Sequence, residues 1–169
     1  KLICGAYGTL AVLTEITFKV LPAPEETKTL VVHNLKLETA THLLHKAISL
    51  SSDISGAAFF PTDPKCSGCQ MNIEETFKLN DLKNDGSLTA IRIEGSKKSI
   101  EERFLKLQKE LFIQNLNTST LATYQSQIFW NKVRNLEFFT STKNNIARVV
   151  IPPSECVQMV YQLPDKYKY

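Results

Sequence analysis

From Leu10 to Val20 the chain alternates. Leu10, Val12, Ile16, Phe18 and Val20 are apolar, while Thr9, Glu15, Thr17 and Lys19 are polar. A period of two over this length predicts an antiparallel strand with one face buried. Just ahead of it stand Gly5 and Gly8, three residues apart. Glycine there admits backbone conformations and close approaches that a Cβ would block, which suits a backbone edge laid against a flat or phosphorylated ligand. Pro22-Ala23-Pro24 follows. Two prolines this close stop strand pairing and favour an extended connector, so a domain boundary is expected between residues 1–22 and 23–169.

Beyond the connector, Thr29 to Val32 is a short β-rich run. Ala40, Leu43, Leu44, Ala47 and Ile48 then recur at the spacing of a packed helix face. Ile54 to Phe60 predicts a strand ended by Pro61, and Leu88 to Ile93 another. Between them, Thr62 to Ser87 is polar and turn-rich, with Asp63-Pro64, Ser67-Gly68 and Asp85-Gly86. Its length predicts disorder or a short extra helix near Glu74 to Lys78.

A second helix is expected from Ser96 or Ser99 to Phe112, with Ile100, Phe104, Leu107 and Leu111 on one face. Ser99-Ile100-Glu101-Glu102 has the spacing of a capping box. Leu121 to Tyr124 predicts a short strand, and Phe129, Trp130, Val133 and Leu136 a third helix. Ile146 to Ile151 predicts a strand stopped by Pro152-Pro153, after which Ser154 caps a last helix carrying Val157 and Val160. The order after the connector is β-α-β-β-α-β, then helix, strand and helix. It predicts an α+β fold of the split β-α-β type, an antiparallel sheet with helices on one face.

Composition narrows the function classes. At 169 residues, 43% hydrophobic and 22% charged, the chain is of ordinary globular make-up. Its formal net charge of +3 is spread as lysines among acids, as in Lys97-Lys98 before Glu101-Glu102. That predicts a solvated surface and no nucleic-acid partner. No apolar run approaches the ~20 residues of a membrane span, and no signal peptide is recognisable. The cysteines Cys4, Cys66, Cys69 and Cys156 are irregularly placed, unlike a secreted disulfide framework, and point to a reducing, cytoplasmic setting. With Lys1 in place of methionine and no strand after the last helix, both ends are expected to be cut from a longer protein.

The chemistry-bearing residues are sparse. Cys66-Ser67-Gly68-Cys69 is a C-x-x-C pair, but it has no second pair to complete a zinc site and no helix to open as a redox motif. It is read as structural or incidental, with metal or redox use as the alternative. His42 and His45 lie off the apolar stripe of the first helix, and His33 ends a strand; all three are read as surface histidines. No metal site is expected. Phe129 and Trp130 are expected to be core and not a cofactor clamp. Arg148, alone in an apolar run, points to solvent or to an acidic ligand. Glu15, the one acid in the opening motif, belongs to the polar face of its strand. No Ser-His-Asp order, paired-carboxylate site or phosphate-cradling loop is present.

Gly5-Ala6-Tyr7-Gly8-Thr9-Leu10-Ala11-Val12-Leu13-Thr14-Glu15 resembles the second FAD-binding signature of the FAD-linked oxidases of the vanillyl-alcohol-oxidase/PCMH type. The continuation Ile16 to Glu25 is similar to the FAD-binding-subunit family of the three-part bacterial glycolate oxidases. So are Ser55 to Ala58, Thr89 to Gly95, Phe129-Trp130 with Arg134, and Arg148 followed by Pro152-Pro153-Ser154. Ala6 and Ala11 stand where the signature usually has serine and glycine.

The resemblance implies that residues 1–22 are the last strand of a PCMH-type FAD-binding domain and that 23–169 form its α+β cap. It also implies FAD as cofactor. Gly5 and Gly8 would then allow close approach, with Thr9, Val12 and Leu13 along the cofactor. The implied partners are a larger FAD-linked hydroxy-acid oxidase subunit and an iron–sulfur subunit, peripheral to the inner face of the membrane. The implied reaction is hydride transfer from a 2-hydroxy acid to flavin. The resemblance supplies no catalytic residue in this chain. The competing reading is a non-catalytic α+β module for protein interaction or small-ligand binding.

Overall fold

The computed structural model describes residues 2–20, 22–61, 86–111, 113–137 and 148–163. Among them the regular elements run β1 (Glu26–His33), α1 (Leu37–Ser49), β2 (Ile54–Phe60), β3 (Leu88–Gly95), α2 (Lys97–Glu110), β4 (Thr118–Leu121), α3 (Thr123–Arg134) and α4 (Cys156–Gln162). Single 3-10 turns lie at Ile113–Asn115 and Pro153–Glu155. The strands form one antiparallel sheet in the order β2-β3-β1-β4. The two central strands pair along their whole length, from Glu26 opposite Gly95 to His33 opposite Leu88. The fold is therefore α+β with an open four-stranded sheet.

Both faces of that sheet are covered. Leu30 and Val32 of β1 and Ile91 and Ile93 of β3 pack against Ala40, Leu43 and Ala47 of α1 and Phe104 and Leu107 of α2. Val31, Leu88 and Ala90, one residue out of phase, turn the other way onto Leu121, Phe60 and Phe129 of α3. The helices thus lie on two faces, not the single face expected. The reason is in the central strands: apolar residues at both parities of β1 and β3 leave two faces to be taken out of water, as in strands buried on both sides.

A bulge lets the edge strand β2 serve both faces. Ile54 lies opposite Ile93 and Gly56 opposite Arg92, so Ser55 is one residue too many. The extra residue reverses the parity of the strand. Ile54 and Phe59 therefore join the α1–α2 side, and Ala58 and Phe60 the α3 side.

Several elements depart from expectation. Residues 10–20 form no strand; they run as exposed irregular chain outside the sheet. The alternation specifies which face of a strand is to be buried but supplies no partner, and a strand needs a ladder to pair with. Both edges of β1 and of β3 are already occupied. The fourth strand ends at Leu121, and Thr123 and Tyr124 open α3.

Helix α2 begins after Ser96, so Ser99 lies inside it and makes no capping box; the Lys97 N–H donates to the Glu25 carboxylate at 3.2 Å instead. Residues 148–151 are irregular and mostly exposed rather than a strand, and 146–147 lie outside the described residues. The last helix follows the 3-10 turn with no side-chain cap from Ser154.

Candidate functional site

The opening motif folds into two consecutive turns. The Ala6 N–H donates to the Ile3 carbonyl at 3.2 Å, and the Thr9 N–H to the Ala6 carbonyl at 2.9 Å. The Thr9 hydroxyl donates to that same carbonyl at 2.6 Å. Gly5 and Gly8 take φ of 86° and 78°, the left-handed region that glycine enters without steric penalty. Tyr7, between them, is also left-handed at φ 49°. A Cβ built on either glycine meets nothing within 4 Å. Glycine is thus required here by backbone conformation, and the space over each is open.

The turns bring Gly5, Gly8 and Thr9 together, whereas Val12 and Leu13 lie further along the irregular segment, and all five are exposed. The described residues supply one wall at this motif and nothing opposite it.

A second concavity lies at one end of the sheet. It is a groove of about 670 Å³ bounded by the start of α1 (Lys36, Leu37, Glu38), by Phe59 and Pro61 at the end of β2, and by Val160 and Tyr161 of α4. The Tyr161 hydroxyl donates to the Glu38 carboxylate, joining α4 to α1 across it. This bond holds the Glu38 carboxyl below the usual carboxylate range, helped by its own backbone hydrogen bond and by the Lys36 charge. The same bond, followed by desolvation and the Glu38 charge, raises the Tyr161 phenol.

The sign follows from these directions. The Glu38 contribution is present above the carboxyl's unfolded pKa and is lost as pH falls through the lowered one. That of Tyr161 is present below the phenol's unfolded pKa and is lost as pH rises through the raised one. The tie therefore spans neutral pH. Tyr161→Phe is expected to move the Glu38 midpoint upward in a carboxyl-resolved NMR titration; an unmoved midpoint would show that the hydroxyl does not hold it.

The single histidines and the arginine separate. His42 and His45 are exposed on α1 and line a smaller cavity of about 280 Å³ with Glu38, Pro153 and Val157. His33, expected at the surface, is instead buried, with Nε2 2.8 Å from Ser119 Oγ. Its strand end is covered on the α3 side of the sheet. Arg148 is exposed in the irregular stretch before α4. No group of three His, Cys, Asp or Glu among the described residues could hold a metal ion. Cys4 and Cys156 are free thiols, and Cys66 and Cys69 lie outside the described residues. No helix among the described residues is long and apolar enough to cross a membrane.

One polar cluster had no forewarning in the sequence. On the α3 face, Trp130 Nε1 donates to Thr29 Oγ1 at 2.8 Å, and Thr29 Oγ1 lies 2.6 Å from Ser126 Oγ. The Arg92 guanidinium stacks 5.0 Å from the Trp130 ring and donates twice to Ser55, at 3.0 Å each, with Glu94 at 3.5 Å. A Cβ on Gly56 would stand 3.1 Å from the indole, so the bulged strand and Trp130 are in close contact. The cluster is internally hydrogen-bonded and tightly filled. Its chemistry is that of a packed seam joining α3 to the sheet, with Phe129 fully buried beside it. No protein-family model and no curated protein matches the chain.

Proposed function

We propose that the chain is part of the FAD-binding subunit of a glycolate-oxidase-like 2-hydroxy-acid dehydrogenase complex. Residues 1–22 would contribute one edge of the FAD site, and 23–169 a cap and assembly domain. The carrying observation is the tandem turn at Gly5 and Gly8, with open space over both glycines, running directly into a strand-patterned segment that has no strand partner among the described residues. A flat cofactor laid along a backbone requires that openness. The order β-α-β-β-α-β and the sheet order β2-β3-β1-β4 support a ferredoxin-like split β-α-β cap for the second part.

Within this reading Gly5, Gly8 and Thr9 hold FAD by their main chain, and Val12 and Leu13 flank it. The flavin, when bound, supplies the hydride acceptor for oxidation of a 2-hydroxy acid at C2 and hands electrons on to an iron–sulfur subunit. The residues of this chain bind and orient; none is assigned a proton-transfer role. The larger FAD-linked subunit and the iron–sulfur subunit are the proposed partners.

One wall cannot enclose a dinucleotide. FAD titrated into the chain, followed by flavin fluorescence, is expected to show weak binding or none. Micromolar or tighter affinity would overturn the one-edge assignment. Purification of the native assembly through a tag on this chain is expected to bring flavin and iron–sulfur absorbance with it; recovery of RNA in their place would overturn the family reading. The groove of about 670 Å³ favours a second reading, a non-catalytic small-ligand or protein-interaction module. A flavin-free assembly, with small-molecule shifts of the Asn34–Glu38 amide resonances, would favour that one.

A further inference from the structure

Helix α4 lies outside the layers that bury the sheet. It packs on α1, whose Ala40, Leu43 and Ala47 already face the sheet, so it covers the outer row Glu38, Thr41, His42 and His45. That row is polar. No α4 side chain is buried, and Val157 and Val160 are only half-buried. Two spaces flank the contact: the groove of about 670 Å³, walled by Val160 and Tyr161, and the cavity of about 280 Å³, walled by Val157. Glu38 lines both, so the Tyr161–Glu38 hydrogen bond stands where they meet.

A helix of seven residues is too short to persist undocked. Undocking and melting of α4 are therefore one event, a local opening that leaves the sheet and both its cores intact. We propose that α4 is a releasable strap: breaking the Tyr161–Glu38 bond undocks and melts it, and the groove and the smaller cavity become one trough along the outer face of α1.

The charges around the bond make the release sensitive to acid. Lys36, Glu38, His42 and His45 of α1 and Tyr161 of α4 are the titratable groups lining the two spaces among the described residues; Glu155, just ahead of α4, lines neither. The Glu38 carboxyl is held below its usual range, so the bond persists above that lowered value and weakens as pH falls through it. Its protonation leaves Lys36, His42 and His45 with no lining carboxylate, and α4 brings none to meet them. Acid therefore favours the released state.

Peptide-resolved hydrogen exchange of the full chain, corrected for the intrinsic pH dependence of amide exchange, reads the opening. At neutral pH the Cys156–Gln162 amides are expected to exchange faster than those of β1 and β3, yet slower than free peptide. Tyr161→Phe, which keeps the ring, is expected to speed them about fivefold or more while β1, β3 and α1 stay unchanged. As pH falls through the Glu38 midpoint, wild-type protection of α4 is expected to drop to the level of Tyr161→Phe, which stays flat. Glu38→Gln, uncharged but still an acceptor, is expected to lose the acid dependence too. Exchange of α4 at the rate of the core strands or of free peptide, or at a rate unmoved by Tyr161→Phe, would each overturn the proposal. So would an acid dependence that survives in both variants. FAD enters none of these readouts, so failure here leaves the proposed function standing.

Discussion

Phe129→Ala is expected to lower the unfolding free energy by about 4 kcal/mol, within the range for deleting a fully buried aromatic. Phe129 has no exposed surface and is the one fully buried apolar side chain that α3 puts into the second face of the sheet, with Trp130 and Val133 partly buried beside it. Its ring meets Phe60 edge-on at 5.7 Å and Trp130 at 5.5 Å, so truncation removes two aromatic contacts as well as the transfer term. The neighbours are strand residues held by the ladder, which limits how far the cavity can collapse. Urea unfolding measures the loss, with an unchanged slope showing that the same surface is exposed on unfolding. Ile48→Ala is the control. Ile48 sits on the apolar stripe of α1 yet is 63% exposed, and its truncation is expected to stay within about 0.5 kcal/mol. A loss below about 1 kcal/mol at Phe129 would mean that the α3 face is not a core.

The contrast between Phe129 and Ile48 shows what was legible in the chain. Helix positions, β2 and most of β3 could be read from periodicity, because each is paired or packed with an element that the same periodicity also describes. Which face a helix takes could not be read from the helix. It follows from β1 and β3, where Leu30-Val31-Val32 and Ala90-Ile91 carry apolar residues at both parities. A strand with both parities apolar demands two covers, and that signal was available but went to a one-sided sheet.

The opening segment failed for the opposite reason. Its alternation is the clearest in the chain, yet a strand exists only with a partner, and no edge of the described sheet accepts it. The tandem turns were partly legible, since Gly5 and Gly8 do take left-handed φ. The Thr29–Ser126–Trp130 seam was not. Thr29 and Ser126 are 97 residues apart, and nothing local marks either as buried.

That seam supplies the second large effect. Thr29→Val is expected to destabilise the fold by about 3 kcal/mol, because one hydroxyl serves two groups. Thr29 Oγ1 accepts from Trp130 Nε1 and is hydrogen-bonded to Ser126, and both Thr29 and Ser126 are fully buried. Valine fills nearly the same volume but leaves the indole N–H and the serine hydroxyl unpaired, and each buried orphan costs about 1–3 kcal/mol. Ser126→Ala is expected to cost less, about 1 kcal/mol, since Thr29 still accepts from Trp130. Combined, the two substitutions are expected to cost less than their sum, because the serine orphaned by valine is then absent. The chain has one tryptophan, so its emission reports this site alone. A shift in that emission with Thr29→Val, but not with Ile48→Ala, separates loss of the indole bond from general loosening. Additive energies with unshifted emission would show that the three groups do not act as one network.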